Sequence, residues 1–222
     1  MVNTTSTMHT TATQTATPRP VWDLAQRLAH WTLALAFALA WLTAESERWR
    51  LVHVASGLTV MGVVVFRVLW GLVGSGHARF ADFVAGPARV VGYLRSLVGG
   101  RPEHHTGHNP AGGWAVLGLL GLALTTAVLG WLTYHELGGH VLEEAHEVLA
   151  TLALGLVGVH VLGVIVSSLL HHENLVRAML TGRKQAPATE APAHPAPQGL
   201  ALNLAGLALL AACVGLSVWW GW

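Results

Sequence analysis

Four histidines lie inside apolar stretches of this 222-residue chain: His30, His53, His146 and His160. Two of them, His146 and His160, share one stretch, residues 144–170. They are fourteen positions apart, which corresponds to about 21 Å along a helix and nearly four turns, so both rings leave the same face. Imidazole nitrogens coordinate metals or carry protons. One helix would therefore present such a group near each of its ends.

Cysteine usage excludes several other metal sites. Cys213 is the single cysteine of the chain and lies in an apolar run, so no intrachain disulfide can form. The motif C-x-x-C-H does not occur, which excludes a covalently attached c-type haem. Thiolate iron–sulfur clusters and four-cysteine zinc sites are excluded for the same reason. Fourteen histidines against one cysteine indicate imidazole chemistry for any metal that is bound.

Composition places most of the chain in a membrane. Hydrophobic residues make up 53% of the chain and charged residues 10%, whereas a soluble domain carries about 25% charged residues. The formal net charge of +1 argues against a nucleic-acid partner. Five apolar stretches follow in the sequence, and only helices satisfy their own backbone in lipid in segments of this kind. These predicted spans are residues 28–44, 51–73, 113–134, 144–170 and 200–222.

The predicted fold is an all-α integral membrane protein, with a four-helix transmembrane bundle and an additional fifth C-terminal transmembrane helix. Residues 1–20 are threonine-rich and predict a disordered cytoplasmic tail. The bundle covers residues 21–184, and a Pro/Ala-rich linker covers residues 185–198. Because that linker separates residues 199–222 from the rest, we expect the fifth helix to be an appendage. Between the second and third spans, residues 81–100 predict a short amphipathic helix on the inner membrane surface.

Lys and Arg are concentrated on one side of the predicted spans. Nine lie in the N-terminal segment and in the second-to-third and fourth-to-fifth loops, and only Arg48 and Arg50 lie opposite. Because cytoplasmic loops carry the excess of positive charge, we expect a cytoplasmic N-terminus and a periplasmic C-terminus in a bacterial inner membrane. The third-to-fourth loop is then periplasmic and acidic, with Glu136, Glu143 and Glu144.

This topology sorts the intramembrane histidines into two pairs at matching depths: His53 with His146 near the outer face, and His30 with His160 near the inner face. A single histidine near a helix end is usually only an interfacial or bundle-facing polar residue. Four at paired depths favour ligands, because imidazoles inside a membrane are costly and have partners. Imidazole pairs on facing helices suit bis-histidine haem, which is six-coordinate and transfers electrons.

Arg67 and a set of glycines are secondary candidates. Arg67 lies fourteen residues after His53, on the same face, and could pair with a haem propionate or extend to the inner headgroups. The glycines would let a flat macrocycle approach backbone or would serve ordinary helix packing. They are Gly57, Gly155, Gly158 and Gly163. The loop histidines could bind metal or relay protons, but solvated side chains are the commoner case. They are His104, His105, His108, His135, His140, His171 and His172.

Several motifs resemble one family. They are VWDLAQRLAHW, HVASGLTVMGVVVFRVLWGLVG with GHARFADFV, GHNPAGGW, and VHVLGVIVSSLLHHENLVRAMLTGRK. On these motifs the chain resembles the prokaryotic cytochrome b561 superfamily, in the branch of b-type cytochrome subunits of nickel–iron hydrogenases. The resemblance implies two b haems held by His30, His53, His146 and His160. It also implies electron transport between a periplasmic redox partner and the membrane quinone pool. The fifth helix departs from many relatives and leaves the partner open.

The sequence therefore predicts a di-haem membrane cytochrome whose partners are quinone and a periplasmic redox protein, either a hydrogenase-type subunit or a cytochrome c. An alternative is a stand-alone quinone-linked oxidoreductase, for example one that oxidises superoxide. Such an enzyme would be active as the purified chain alone. A third possibility is a haem-free transporter that uses the histidines for protons or metal, and that protein would be colourless.

Overall fold

The computed structural model describes residues 17–74, 76–99, 107–186 and 199–222. Within these ranges the chain is almost entirely helical, as predicted. Short 3-10 turns lie at Glu47–Trp49 and Gly76–Ala78. In chain order the elements are β1 (Thr17–Pro20), α1 (Leu24–Thr43), α2 (Arg50–Val73), α3 (Phe80–Phe83), α4 (Pro87–Val98), α5 (Pro110–Tyr134), α6 (Gly139–Leu170), α7 (Leu175–Thr181), β2 (Arg183–Ala186) and α8 (Leu200–Gly221).

Four described segments are long and apolar enough to cross a membrane: Glu47–Val73, Pro110–Tyr134, Gly139–Leu170 and Leu200–Gly221. They coincide with the second to fifth predicted spans. The first predicted span corresponds to α1, which is not among the four, because Gln26, Arg27 and His30 make its first turns polar. α1 nevertheless packs along α2. The chain is a multi-pass membrane protein built as a helical bundle.

α2 is the centre of the bundle and packs against α1, α5 and α8. Its Val63, Val64 and Phe66 are fully buried. One core cluster joins α1, α2 and α8 through Ala25, Phe66 and Leu210, among others. A second joins α1, α2 and α5. Moving a large apolar side chain out of water stabilises a fold by about 1.5–3 kcal/mol, but this gain arises only at the ends of the helices that meet water. Within lipid, close packing itself holds the helices.

α8 is part of this core, so the expectation that it stands apart as an appendage is wrong. Its backbone passes so close to α2 that a Cβ added at Gly62 would lie 2.7 Å from Val214 Cα. The Ser217 hydroxyl donates a hydrogen bond of 2.7 Å to the Leu58 carbonyl. In membranes, small residues let helix backbones approach closely, and the van der Waals packing and interhelical hydrogen bonds that result stabilise the contact. The linker composition indicated separation in sequence, which does not require separation in space.

We expect Gly62→Ala to destabilise the protein, because the new methyl would meet backbone atoms of α8 that cannot rotate away. Overpacking of this kind costs about 1–3 kcal/mol. The matched control is Gly215→Ala on α8, where a Cβ has no neighbour within 4 Å among the described residues. Thermal unfolding of both variants in detergent measures the difference. Equal stability of the two variants would contradict the close α2–α8 contact.

The two ends of the predicted bundle are joined by a short antiparallel ladder. β1 pairs with β2 from Thr17 opposite Ala186 to Pro20 opposite Arg183. The Gly182 carbonyl then accepts hydrogen bonds from the backbone of Val21 (2.8 Å) and Trp22 (3.2 Å). The ladder extends the ordered fold into residues 17–20 and 185–186, at the edges of the expected tail and linker. It fixes the entry to α1 beside the exit from α7. The predicted amphipathic segment contains α3 and α4.

α6 is the least buried of the long helices. It packs mainly against α5, and Ala153 is the one buried residue within it. In contrast to α5, α6 does not pack extensively against α1 or α2. A space therefore separates α6 from the helices that bear His30 and His53, and the predicted ligands meet across it.

Candidate functional site

His53 and His146 face each other across this space. His53 lies in the first turn of α2 and His146 near the start of α6. Their ring centroids are 6.1 Å apart, and the rings are nearly perpendicular at 83°. A metal bound to both through bonds of about 2 Å would hold the two ligand nitrogens about 4 Å apart, which corresponds to ring centroids about 6 Å apart. The predicted outer pair is thus brought together at the spacing that a shared metal requires.

Backbone carbonyls set the tautomer of both rings. His53 Nδ1 lies 2.8 Å from the Ala40 carbonyl, and His146 Nδ1 lies 2.9 Å from the Thr126 carbonyl. A carbonyl only accepts, so each Nδ1 carries the proton and each Nε2 keeps its lone pair. Metal-binding histidines characteristically donate their other ring N–H to such an acceptor. Ala40 lies in the last turn of α1, where carbonyls lack a helical partner, so His53 also satisfies that helix end.

Gly130 makes room for the ring of His146. A Cβ at this position on α5 would lie 2.8 Å from His146 Cε1 and 3.0 Å from Nδ1. Gly130 follows Thr126 by one helical turn, so the missing side chain also leaves the Thr126 carbonyl open to the imidazole. Neither Gly130 nor the two carbonyl residues was predicted from the sequence. A glycine one turn after a threonine on a neighbouring helix gives no signal until the helices are placed side by side.

The inner pair consists of His30 on α1 and His160 on α6. The two rings lie close enough to interact electrostatically. Both are partly buried, and His30 Nδ1 is buried with no hydrogen-bond partner among the described residues. A buried ring nitrogen without a partner is costly, so a ligand there would compensate for lost hydration. The two predicted inner ligands are therefore within electrostatic range of each other, but they do not form a ring contact like that of the outer pair.

Arg67 is buried on α2, with 5% of its surface exposed. Its guanidinium lies over the rings of Phe80 (5.1 Å) and Phe83 (5.7 Å). Both terminal nitrogens, Nη1 and Nη2, are buried without a hydrogen-bond partner in the described part of the chain. This position excludes the alternative in which the side chain extends to the lipid headgroups. A buried guanidinium retains its charge. The Asp23 carboxylate acts on it electrostatically, but Nη1 and Nη2 remain available to donate hydrogen bonds to a further anion.

His108, expected to be a solvated loop residue, is packed into the same end of the bundle. Its ring lies 4.7 Å from Trp22 and 4.5 Å from Phe83 between centroids. Burial, followed by the positive charges of Arg67 and Lys184, lowers the pKa of His108 from 6.5 to about 3. The imidazole is therefore neutral at physiological pH. His104 and His105 lie outside the described residues.

The four glycines proposed to admit a macrocycle divide into two groups. None has a neighbour within 4 Å of an added Cβ among the described residues, so ordinary close packing against a described helix is not their role. At about 100° per residue, Gly57 lies about 40° from His53 and Gly163 about 60° from His160 around their helices. These two border the histidine faces. Gly155 and Gly158 lie about 140° and 160° from His160, so they face away from the site.

The remaining histidines do not form a second metal site in the described residues, where no cluster of three or more His, Cys, Asp or Glu side chains occurs. His135 Nε2 lies 3.2 Å from the Gly221 carbonyl. His140 is exposed and lies 3.8 Å from Glu143 and 3.6 Å from Glu144. Pairs of histidines suit an iron whose other ligands come from a macrocycle, rather than a metal held by side chains alone.

The residues present fit b-type haem by their chemistry. Within the described residues, the Nε2 atoms of the outer pair have no hydrogen-bond partner, nor do one imidazole nitrogen of the inner pair and the terminal nitrogens of the Arg67 guanidinium, which could bind a carboxylate. Together with the bundle, they define a membrane protein of the cytochrome b class. The chain belongs to the prokaryotic cytochrome b561 family, because the model of that family matches residues 21–182. The match covers α1 to α7 and ends before α8. Comparisons with curated proteins and with solved structures found no match.

Proposed function

We propose that the protein is a transmembrane di-haem b-type cytochrome that carries electrons between a periplasmic redox partner and the quinone pool of a respiratory chain. The observation that carries the proposal is the outer pair, His53 and His146: both Nδ1 atoms lie on carbonyls, and neither Nε2 atom has a hydrogen-bond partner in the described part of the chain. Iron held by two imidazoles is six-coordinate and exchanges electrons without binding oxygen.

The four histidines have defined roles in this proposal. His53 and His146 hold the outer haem. The hydrogen bonds from their Nδ1 atoms to the carbonyls of Ala40 and Thr126 keep both rings oriented when the iron is reduced or oxidised. His30 and His160 hold the inner haem. The separation of fourteen positions between His146 and His160 places the two sites about 21 Å apart along α6. Two such sites divide the membrane thickness of about 30 Å into shorter electron-transfer distances.

The charge distribution supports an inner-membrane location with a cytoplasmic N-terminus and a periplasmic C-terminus. In that orientation the turn between α5 and α6 is periplasmic. The start of α6, directly after this turn, carries His140, Glu143 and Glu144, whose side chains are 78%, 58% and 66% exposed. A soluble hydrogenase-type subunit or a cytochrome c with a basic face would be attracted there, close to the outer pair. Quinone would exchange electrons at the opposite end of the bundle.

The first test is a dithionite-reduced minus air-oxidised visible spectrum of the purified full chain, with pyridine haemochrome quantification. We expect b-type bands and about two haems per chain, one for each histidine pair. One haem per chain would mean that only one of the two histidine pairs binds haem. A folded protein without haem would contradict the proposal and favour a transporter.

Replacing Arg67 by methionine is expected to shift the midpoint potential of one haem to a more negative value, because a positive charge near the iron favours the reduced state. A unit charge about 4–16 Å away contributes about 4–1 kcal/mol at an effective dielectric constant of about 20. Potentiometric titration of the two haems measures the shift. Arg177→Met removes the same charge from an exposed position on α7 and should leave both potentials nearly unchanged. Equal shifts in the two variants would contradict a propionate partner for Arg67.

A further inference from the structure

His108 has no role in the function proposed above, yet it is held in a defined position. It immediately precedes Asn109, whose side chain caps α5 by accepting a hydrogen bond of 2.6 Å from the Gly112 backbone. The ring lies against Trp22 and Phe83. His108 Nδ1 is buried and lacks a hydrogen-bond partner among the described residues. A neutral imidazole with a buried nitrogen in this state loses the hydration of that atom without compensation.

The surroundings of His108 favour an anion. Arg67, Lys184, His77 and His160 act on His108 electrostatically, and Arg67 has the largest effect among them. Phe83 joins the two side chains, since its ring lies under the Arg67 guanidinium and against the His108 imidazole. The N-terminus of α5, next to His108, adds a partial positive charge.

Nearby carboxylates are already engaged. Asp23 Oδ1 accepts a hydrogen bond of 2.7 Å from the Gln26 backbone, and Oδ2 accepts one of 3.0 Å from Trp70 Nε1. Glu173 pairs with Lys184 at 3.4 Å. Arg67 can only donate, and His108 can donate from Nδ1. Two buried donors around one aromatic ring are complementary to a carboxylate that comes from outside the chain.

We propose that His108 is a positioning residue that donates a hydrogen bond from Nδ1 to a propionate carboxylate of the inner haem, beside Arg67. The inference rests on the proposed function, because it needs the inner haem on His30 and His160. Arg67 neutralises the carboxylate, and His108 fixes its direction without adding charge. The GHNP segment thereby connects the start of α5 to a cofactor whose iron ligands lie on α1 and α6.

The test uses the purified full chain and three variants. His108→Phe keeps a planar ring without a donor, and His108→Gln keeps an amide donor. His140→Phe is the control, since the His140 side chain is 78% exposed near the start of α6. Resonance Raman spectroscopy reports the haem propionate bending bands, and transfer to apomyoglobin reports haem release. Loss of one hydrogen bond to a charged group predicts roughly tenfold faster release of one haem in His108→Phe. His108→Gln should lie closer to the wild type.

We expect His108→Phe to shift one propionate band and to leave the low-spin bis-histidine bands unchanged, with no effect of His140→Phe. Two haems in the wild type with unchanged propionate bands in His108→Phe would overturn the role of His108 and leave the proposed function intact. If His108→Phe does not fold, a propionate band in His108→Gln identical to that of the wild type has the same meaning. Loss of quinone-analogue binding with unchanged propionate bands would assign His108 to quinone instead. A wild-type chain without haem would overturn both proposals.

Discussion

His53→Ala is expected to reduce the haem content of the purified protein from about two haems per chain to about one. The substitution removes one proposed axial ligand, leaves His146 without its facing imidazole, and removes the shorter of two hydrogen bonds to the Ala40 carbonyl. Pyridine haemochrome quantification measures the result. The control is His135→Ala, because His135 lies near the same end of the bundle but bonds to the Gly221 carbonyl instead.

The corresponding inner variant, His160→Ala, should remove the other haem and leave the outer one. Redox titration then distinguishes the two variants, since each retains a single component with a different midpoint potential. Unchanged haem content in both His53→Ala and His160→Ala would contradict the assignment of the ligands. The same remaining component in both variants would contradict two separate sites.

Gly130→Ala is expected to release the outer haem although residue 130 is not a ligand. The added methyl would lie 2.8 Å from His146 Cε1, so the ring must turn away from the Thr126 carbonyl and from His53. Loss of an orienting contact of this kind costs about 10–100-fold in metal affinity. Haem release from the oxidised protein should accelerate by a similar factor for one of the two haems.

Gly121→Ala on the same helix is the matched control, because an added Cβ there has no neighbour within 4 Å in the described structure. This variant should keep both haems and gain up to about 1 kcal/mol of helix propensity. If Gly130→Ala and Gly121→Ala release haem at the same rate, the ring of His146 is not held where the structure places it.

The long helices could be predicted from the sequence because their signal is local. Hydropathy and the charged or capped ends define α2, α5, α6 and α8 to within a few residues. The pairing of histidines by depth also needs only helix direction and the rise per residue. Depth therefore predicted that His53 meets His146 before any helix packing was known.

Features that depend on contacts between helices were missed. The linker before α8 gives no information on where that helix returns, and only the close approach of Val214 to Gly62 reveals it. The sequence around His108 is polar and predicts an exposed loop. The residue is buried because its ring packs against Trp22 and Phe83, which are distant in sequence. The role of Gly130 can be recognised only when the imidazole of His146 is seen to lie against it. In each case the decisive neighbour lies on another helix.

The contact between α2 and α8 also bears on how cells make the protein. Translation produces α8 after α1 to α7, yet Leu210 of α8 fills the same core as Ala25 of α1 and Phe66 of α2. A nascent chain that stops before α8 already carries all four paired histidines but lacks one of the helices that pack against α2. We expect such a chain to be cleared by membrane proteases even when it has acquired its cofactor. The synthesis of α8, rather than haem insertion, would then determine which chains escape degradation.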